Sequence, residues 1–115
     1  MAFSELEKKR VEKAVAAFVE QKRPAAHIRP QLDIGFRLEG QSVEIFEIRP
    51  YWRDESQTME RSVAKATYVK GQAQWKVFWK RADLKWHGYE PQATVRKIEE
   101  FLKVVDDDPY GCFWG

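Results

Sequence analysis

Cysteine is nearly absent: Cys112 stands alone in 115 residues, which excludes an internal disulfide framework and fits a reducing compartment. Long apolar runs are missing as well. The longest, Ala14 to Val19, falls far short of the roughly 20 residues a bilayer-spanning helix needs. The N-terminus is charged from Glu5 onward and lacks the apolar stretch of a signal peptide. The expectation is a cytoplasmic protein with no membrane association. Charge of one sign is also lacking, since 20 basic and 18 acidic residues leave only +2, too little to imply a nucleic-acid partner by itself. There is no glycine-rich phosphate loop, nucleophile elbow or Cys-x-x-Cys. His27, His87 and Cys112 do not have metal-ligand spacing, so neither metal nor cofactor is expected.

What is present is apolar and aromatic. At 43% hydrophobic and 14% aromatic content, the chain has the material for a real core, and its length predicts a single domain over 1–115. Residues 1–3 and 111–115 are expected to be flexible, or in the case of the tail to dock. Charge is unevenly spread. Residues 31–60 hold three basic and seven acidic side chains, while 61–90 hold seven basic and two acidic. Such blocks either compensate each other internally or present two faces to different partners.

The pattern predicts an α+β fold. Ser4 followed by Glu7 spells a helix start, Val11, Ala14, Val15 and Phe18 form one apolar stripe, and Pro24 ends the segment. Leu32, Ile34, Phe36 and Leu38 then alternate with polar residues, the period of a half-buried strand. A second strand is expected from Ser42 to about Trp52, with Pro50 marking an edge or bend. Arg53 to Thr58 reads as a polar loop. Strands at Val63–Lys70 and Gln74–Arg81 flank Gly71, and a short fifth is expected at Lys85–Tyr89. An N-terminal helix, an antiparallel meander of four to five strands and a C-terminal helix packed on one sheet face result. In the last helix Val95, Ile98, Phe101, Leu102 and Val105 line one face, with Pro91 in its first turn. Asp106, Asp107 and Asp108 stand at its C-terminal end, where the dipole disfavours them by about 0.3–1 kcal/mol each. An aromatic tail through Phe113 and Trp114 follows, to be folded into its own domain or docked on a partner.

These segments carry a resemblance. Leu32-Asp33-Ile34-Gly35, Phe46-Glu47-Ile48-Arg49-Pro50, Ala64-Lys65-Ala66-Thr67-Tyr68, Trp75-Lys76-Val77-Phe78-Trp79, Ala82-Asp83-Leu84-Lys85-Trp86-His87 and Asp108-Pro109-Tyr110 resemble the short bacterial proteins grouped as domain of unknown function 3024. The resemblance implies a bacterial single-domain protein and no particular chemistry.

Two constellations are candidates for function. Three-residue loops in both hairpins would set Asp33 opposite Glu47, and Lys65 opposite Trp79. The helices would then cover a face with Ala64, Ala66 and Phe78, leaving Asp33, Glu47, Arg49, Lys65, Trp75 and Trp79 on the other. On that face Trp75 and Trp79, with Lys65 and Arg81 and with Lys85, Trp86 and His87 at the rim, have the residue types that stack planar ligands and bind phosphates. The expected function is therefore a non-catalytic binding or adaptor module for a protein, a small ligand or a nucleic acid, acting as a monomer or weak homodimer. The alternative is a diverged Mg-dependent nuclease of restriction-endonuclease-like type. Asp33 and Glu47 would hold the ion, with Arg49 where that pattern has a lysine. A guanidinium cannot serve as a base, and a tight turn stands where that fold has a crossover helix.

Overall fold

The computed structural model describes residues 4–114; the expectations for 1–3 and 115 lie outside the described residues. Helix α1 (Glu5–Lys22) begins as its sequence spells it: the Ser4 hydroxyl accepts the Glu7 N–H at 3.2 Å and donates to the Glu7 carboxylate at 3.0 Å. Six antiparallel strands follow: β1 (Asp33–Glu39), β2 (Ser42–Tyr51), β3 (Asp54–Val69), β4 (Gln74–Lys80), β5 (Trp86–Gly88) and β6 (Thr94–Val95). They lie in the order β1-β2-β3-β4-β5, with β6 also on β4, and helix α2 (Ile98–Asp107) closes the chain. No described helix is long and apolar enough to cross a membrane.

Both helices pack on one face of the sheet. Val11, Val15 and Val19 of α1 and Ile98, Phe101, Leu102 and Val105 of α2 meet Val43, Ile45, Ala64, Ala66, Trp75 and Val77. The alanines are fully buried, and their small side chains let the helices approach closely. Each fully buried aliphatic contributes about 1.5–3 kcal/mol.

The registers differ from expectation by one residue in each hairpin. Glu39 pairs with Ser42, so Gly40 and Gln41 alone make the first turn, with Gly40 at φ 56° as a glycine-first hairpin turn requires. Asp33 therefore faces Ile48, and Glu47 faces Ile34. The second hairpin turns through four residues, Lys70–Ala73, and the left-handed residue is Ala73 rather than Gly71. Lys65 then pairs with Phe78, Ala66 with Val77 and Ala64 with Trp79. A one-residue slip moves every side chain to the other face. Trp75, Val77 and Trp79 thus join the alanines on the helix side, and Lys65, Phe78 and Trp86 occupy the open face.

Three other elements differ. β3 starts at Asp54, so most of the expected Arg53–Thr58 loop is strand, and β2 and β3 form a projecting arm. Helix α2 starts at Ile98; Pro91 lies in a separate 3₁₀ turn and Val95 lies in β6, beside Trp75. A bulge at Val63 switches the β2–β3 register between Ile45 and Phe46. Past it, Phe46 lies across Gly35 on the open face, where an added Cβ would meet its ring at 3.0 Å.

The tail docks on its own domain. Asp108, at φ 34°, accepts the N–H groups of Phe113 and Trp114 at 3.1 and 2.9 Å, and the Trp114 indole donates to the Val105 carbonyl at 2.9 Å. Asp106 pairs with Lys22 of α1, and Asp107 with Lys103. These partners explain how three carboxylates are tolerated at a helix C-terminus. At the start of the sheet, Arg23 makes two hydrogen bonds to Asp33 at 2.9 and 2.8 Å, which hold the Asp33 carboxyl below its usual range. The stability from this pair is complete above the ordinary aspartate range and is lost as pH falls through the lower folded value. Asp33→Asn is expected to cost roughly 1–2 kcal/mol near neutral pH, less than a fully buried pair. Urea midpoints against pH check this, and the two curves should converge in acid.

Candidate functional site

The helices do not reach the whole of their sheet face. β4 ends at Lys80, opposite the middle of β3, and the chain turns away through Arg81–Lys85. Between the outer half of β3, this turn and the tail lies a groove of about 720 Å³. Arg49 and Met59 come from paired positions on β2 and β3, and Arg61 from the pair with Glu47. Trp79 forms part of the groove, with the Arg81 guanidinium 5.5 Å from its ring centroid. Leu84 and Cys112 complete the rim.

Charge in the groove is one-sided. Arg49, Arg61, Lys80 and Arg81 line it against one acidic lining residue, Glu60, which is paired to Arg37 on the open face. Beneath lies Glu47, 6% exposed, the one charged core residue among those described. Arg61 Nη1 donates to its Oε1 at 2.8 Å, and Arg49 Nη2 stands 3.4 Å from both oxygens. The carboxylate holds the guanidinium groups of two arginines whose side chains stay half exposed. Burial raises the Cys112 thiol above its ordinary range, with Asp108 adding to the effect, so it lacks the thiolate character of a reactive cysteine. Behind it the buried Tyr89 hydroxyl has no hydrogen-bond partner among the described residues.

Leu84 is the strained residue of the rim. It sits at φ 63° and is 77% exposed, an unfavourable conformation that no packing compensates. Asp83 shapes this turn: it accepts the Lys85 N–H at 2.9 Å and the His87 ring at 2.8 Å, and these bonds lower its carboxyl pKa. Leu84→Gly is expected to raise stability by up to about 1 kcal/mol through relief of strain. Thermal unfolding measures the gain.

Over residues 3–115 the chain matches the family described as Domain of unknown function (DUF3024). It belongs to this family. No curated protein and no solved structure matches the chain. The DUF3024 match runs through every residue lining the groove, and its description carries no activity.

The residues expected to form one aromatic–basic face are dispersed over the domain. Trp79 and Arg81 meet in the groove, joined by Arg49. His87 lies across from Trp79 on the same face, in a neighbouring cleft. Trp75 is 4% exposed and belongs to the core, beside the Tyr68 ring at 5.2 Å. Lys65 and Trp86 are on the open face, where Lys65 stands 5.1 Å and Lys80 5.3 Å from the Trp86 ring. Lys85 is exposed in the turn. The open-face hollow, about 250 Å³, holds Arg37 and Lys65 against Glu39 and Glu44, so its charges balance. The acidic and basic blocks thus compensate there and at Glu47–Arg61, while the groove lining keeps an excess of cations.

Asp33 and Glu47 do not form a pair. They are out of register, and each carboxylate is already held by arginine, Asp33 by Arg23 and Glu47 by Arg61 and Arg49. Met59, Arg61, Leu84 and Cys112 are groove residues that the sequence pattern does not single out. Glycine at the first position of a two-residue turn was the available signal for the correct first register.

Proposed function

We propose that this chain is a non-catalytic binding module that takes an anionic ligand with a planar or apolar part into the groove around Trp79, Arg49, Arg61 and Arg81. The charge imbalance carries this reading: Arg49, Arg61 and Arg81 line the groove with Trp79 over one buried carboxylate, Glu47, and the lining carboxylate Glu60 is paired to Arg37 on the open face. Arginines suit the task because their fork of donors matches carboxylate and phosphate. Trp79 and Leu84 supply the apolar contact. Lys65 and Trp86 are a weaker candidate surface because that ring is already faced by two lysines. A lone, half-buried thiol fits a module of the cytoplasm.

Trp79→Ala or Arg81→Ala is expected to weaken ligand binding by about 1–3 kcal/mol, with no effect of EDTA. Tryptophan fluorescence titration with an acidic peptide or a single-stranded oligonucleotide, from about 50 to about 200 mM salt, measures this. Affinity that falls steeply with salt supports the groove. Normal binding by both variants removes the assignment.

A further inference from the structure

The groove runs along a strand edge whose backbone groups can be assigned. β3 pairs with β2 along nearly its whole length, but β4 covers it only from Ala64 onward, so among the described residues Asp54–Val63 face no strand on that side. Pro50 fixes which groups point there. Proline has no N–H, so its pair with Thr58 cannot be a hydrogen-bonded one. Pairs alternate along an antiparallel ladder, and the register is unbroken from Phe46 to Pro50. Glu47–Arg61 and Arg49–Met59 are therefore the hydrogen-bonded pairs. Thr58, Glu60 and Ser62 point their N–H and C=O groups away from β2, toward the groove.

The two edges of the arm differ in protection. On the β2 side β1 stops at Asp33, opposite Ile48, and Pro50 stands just past that point with nothing to donate. That is a usual defence of an edge strand. The β3 edge has no proline from Asp54 to Ser62. Beside it stand Arg61, Arg81 and Arg49, with exposed Met59 and Leu84 between them. An open row of backbone donors and acceptors flanked by cations and apolar side chains fits one kind of occupant. We infer that an extended, acidic peptide segment of a partner protein binds here as an added strand on β3, continuing the sheet where β4 turns away. Its backbone pairs with Thr58, Glu60 and Ser62. Its carboxylates point to the helix side, where they meet Arg49, Arg61 and Arg81 beside Trp79 and Met59, and its alternate apolar side chains point to the opposite face of the sheet. The inference rests on the anion-binding role proposed above and names its ligand.

The test uses a fluorescent, N-acetylated octapeptide of alternating glutamate and valine, with fluorescence anisotropy as the readout. A second copy carries N-methyl groups at alternate residues, made in both phases, which keeps the charge and removes strand donors. The inference predicts that one phase of N-methylation weakens binding roughly tenfold or more while the other phase does not. It also predicts that Glu60→Pro, which removes one outward N–H, weakens binding of the unmodified peptide. Equal binding of both methylated peptides and of the unmodified one overturns strand addition but leaves the anion groove standing. If the peptide does not bind and a single-stranded oligonucleotide does, the ligand class is wrong. Binding of the peptide unaffected by Arg61→Ala and Arg81→Ala shows that the site itself is elsewhere, and overturns both proposals.

Discussion

Trp75→Ala is expected to lower the free energy of unfolding by about 3–5 kcal/mol, the cost of removing a large aromatic from a packed core. Trp75 lies between the sheet and the helices with Val11, Val77, Val95 and Ile98 in the same cluster, and is 4% exposed. Little of that loss can be recovered by collapse, because β6 and Tyr68 hold the surrounding backbone and ring in place. Trp86→Ala serves as the contrast. Its ring is half-buried on the open face and faces Lys65 and Lys80, so its loss removes cation–π contacts worth about 0.5–1 kcal/mol each and modest burial. Urea denaturation of the two variants distinguishes the faces. Similar small losses for both would mean that the second hairpin has the opposite register.

Phe113→Ala is expected to cost about 3–5 kcal/mol as well, and for a less obvious reason. Phe113 belongs to a tail that leaves helix α2 past Pro109, yet it is 1% exposed and packs on Tyr89 with ring centroids 4.8 Å apart. Asp108 anchors that tail through two backbone N–H groups, and Trp114 anchors it again through its indole. Cavity formation beneath Tyr89 would expose a hydroxyl already lacking a partner and loosen Cys112 at the rim of the groove. Chemical denaturation measures the stability, and accessibility of the Cys112 thiol to a maleimide reports the loosening. A thiol that stays protected while the chain keeps its midpoint would contradict the docked tail.

Much of the architecture was legible because it is written in burial. The α1 stripe, the alternation in β1, the small alanines of β3 and the apolar face of α2 each reflect one side turned to a core. What was not legible depends on turns and on surfaces without a core. The expected three-residue loops are two residues at Gly40–Gln41 and four at Lys70–Ala73, and either slip reverses a hairpin's faces. In the second, the left-handed position is Ala73, an alanine that no turn preference marks. Asp54–Thr58 had the composition of a loop because both faces of the arm are wet there, and a strand without a buried face has no period-2 signal. The groove inherits these errors. Trp79 and Arg81 were named, but Arg61 and Met59 reach them only through the Val63 bulge and the early end of β4, which no local pattern shows. The three aspartates stood out as electrostatically costly, and the structure resolves the cost through Lys22, Lys103 and the backbone of the tail.

The five tryptophans provide the most direct test, because each reports a different region. Trp52 is 72% exposed at the tip of the arm, Trp75 is core, Trp79 lines the groove, Trp86 is on the open face and Trp114 is in the tail. The measurement is the set of indole N–H resonances during titration with poly-glutamate and, separately, with a single-stranded oligonucleotide at about 50 mM salt. Trp79 is expected to shift with at least one polyanion, while Trp75 and Trp114 stay fixed and Trp52 and Trp86 move little. A shift confined to Trp86 or Trp52, with Trp79 unmoved, would place the binding surface on the open face or the arm tip and contradict the groove.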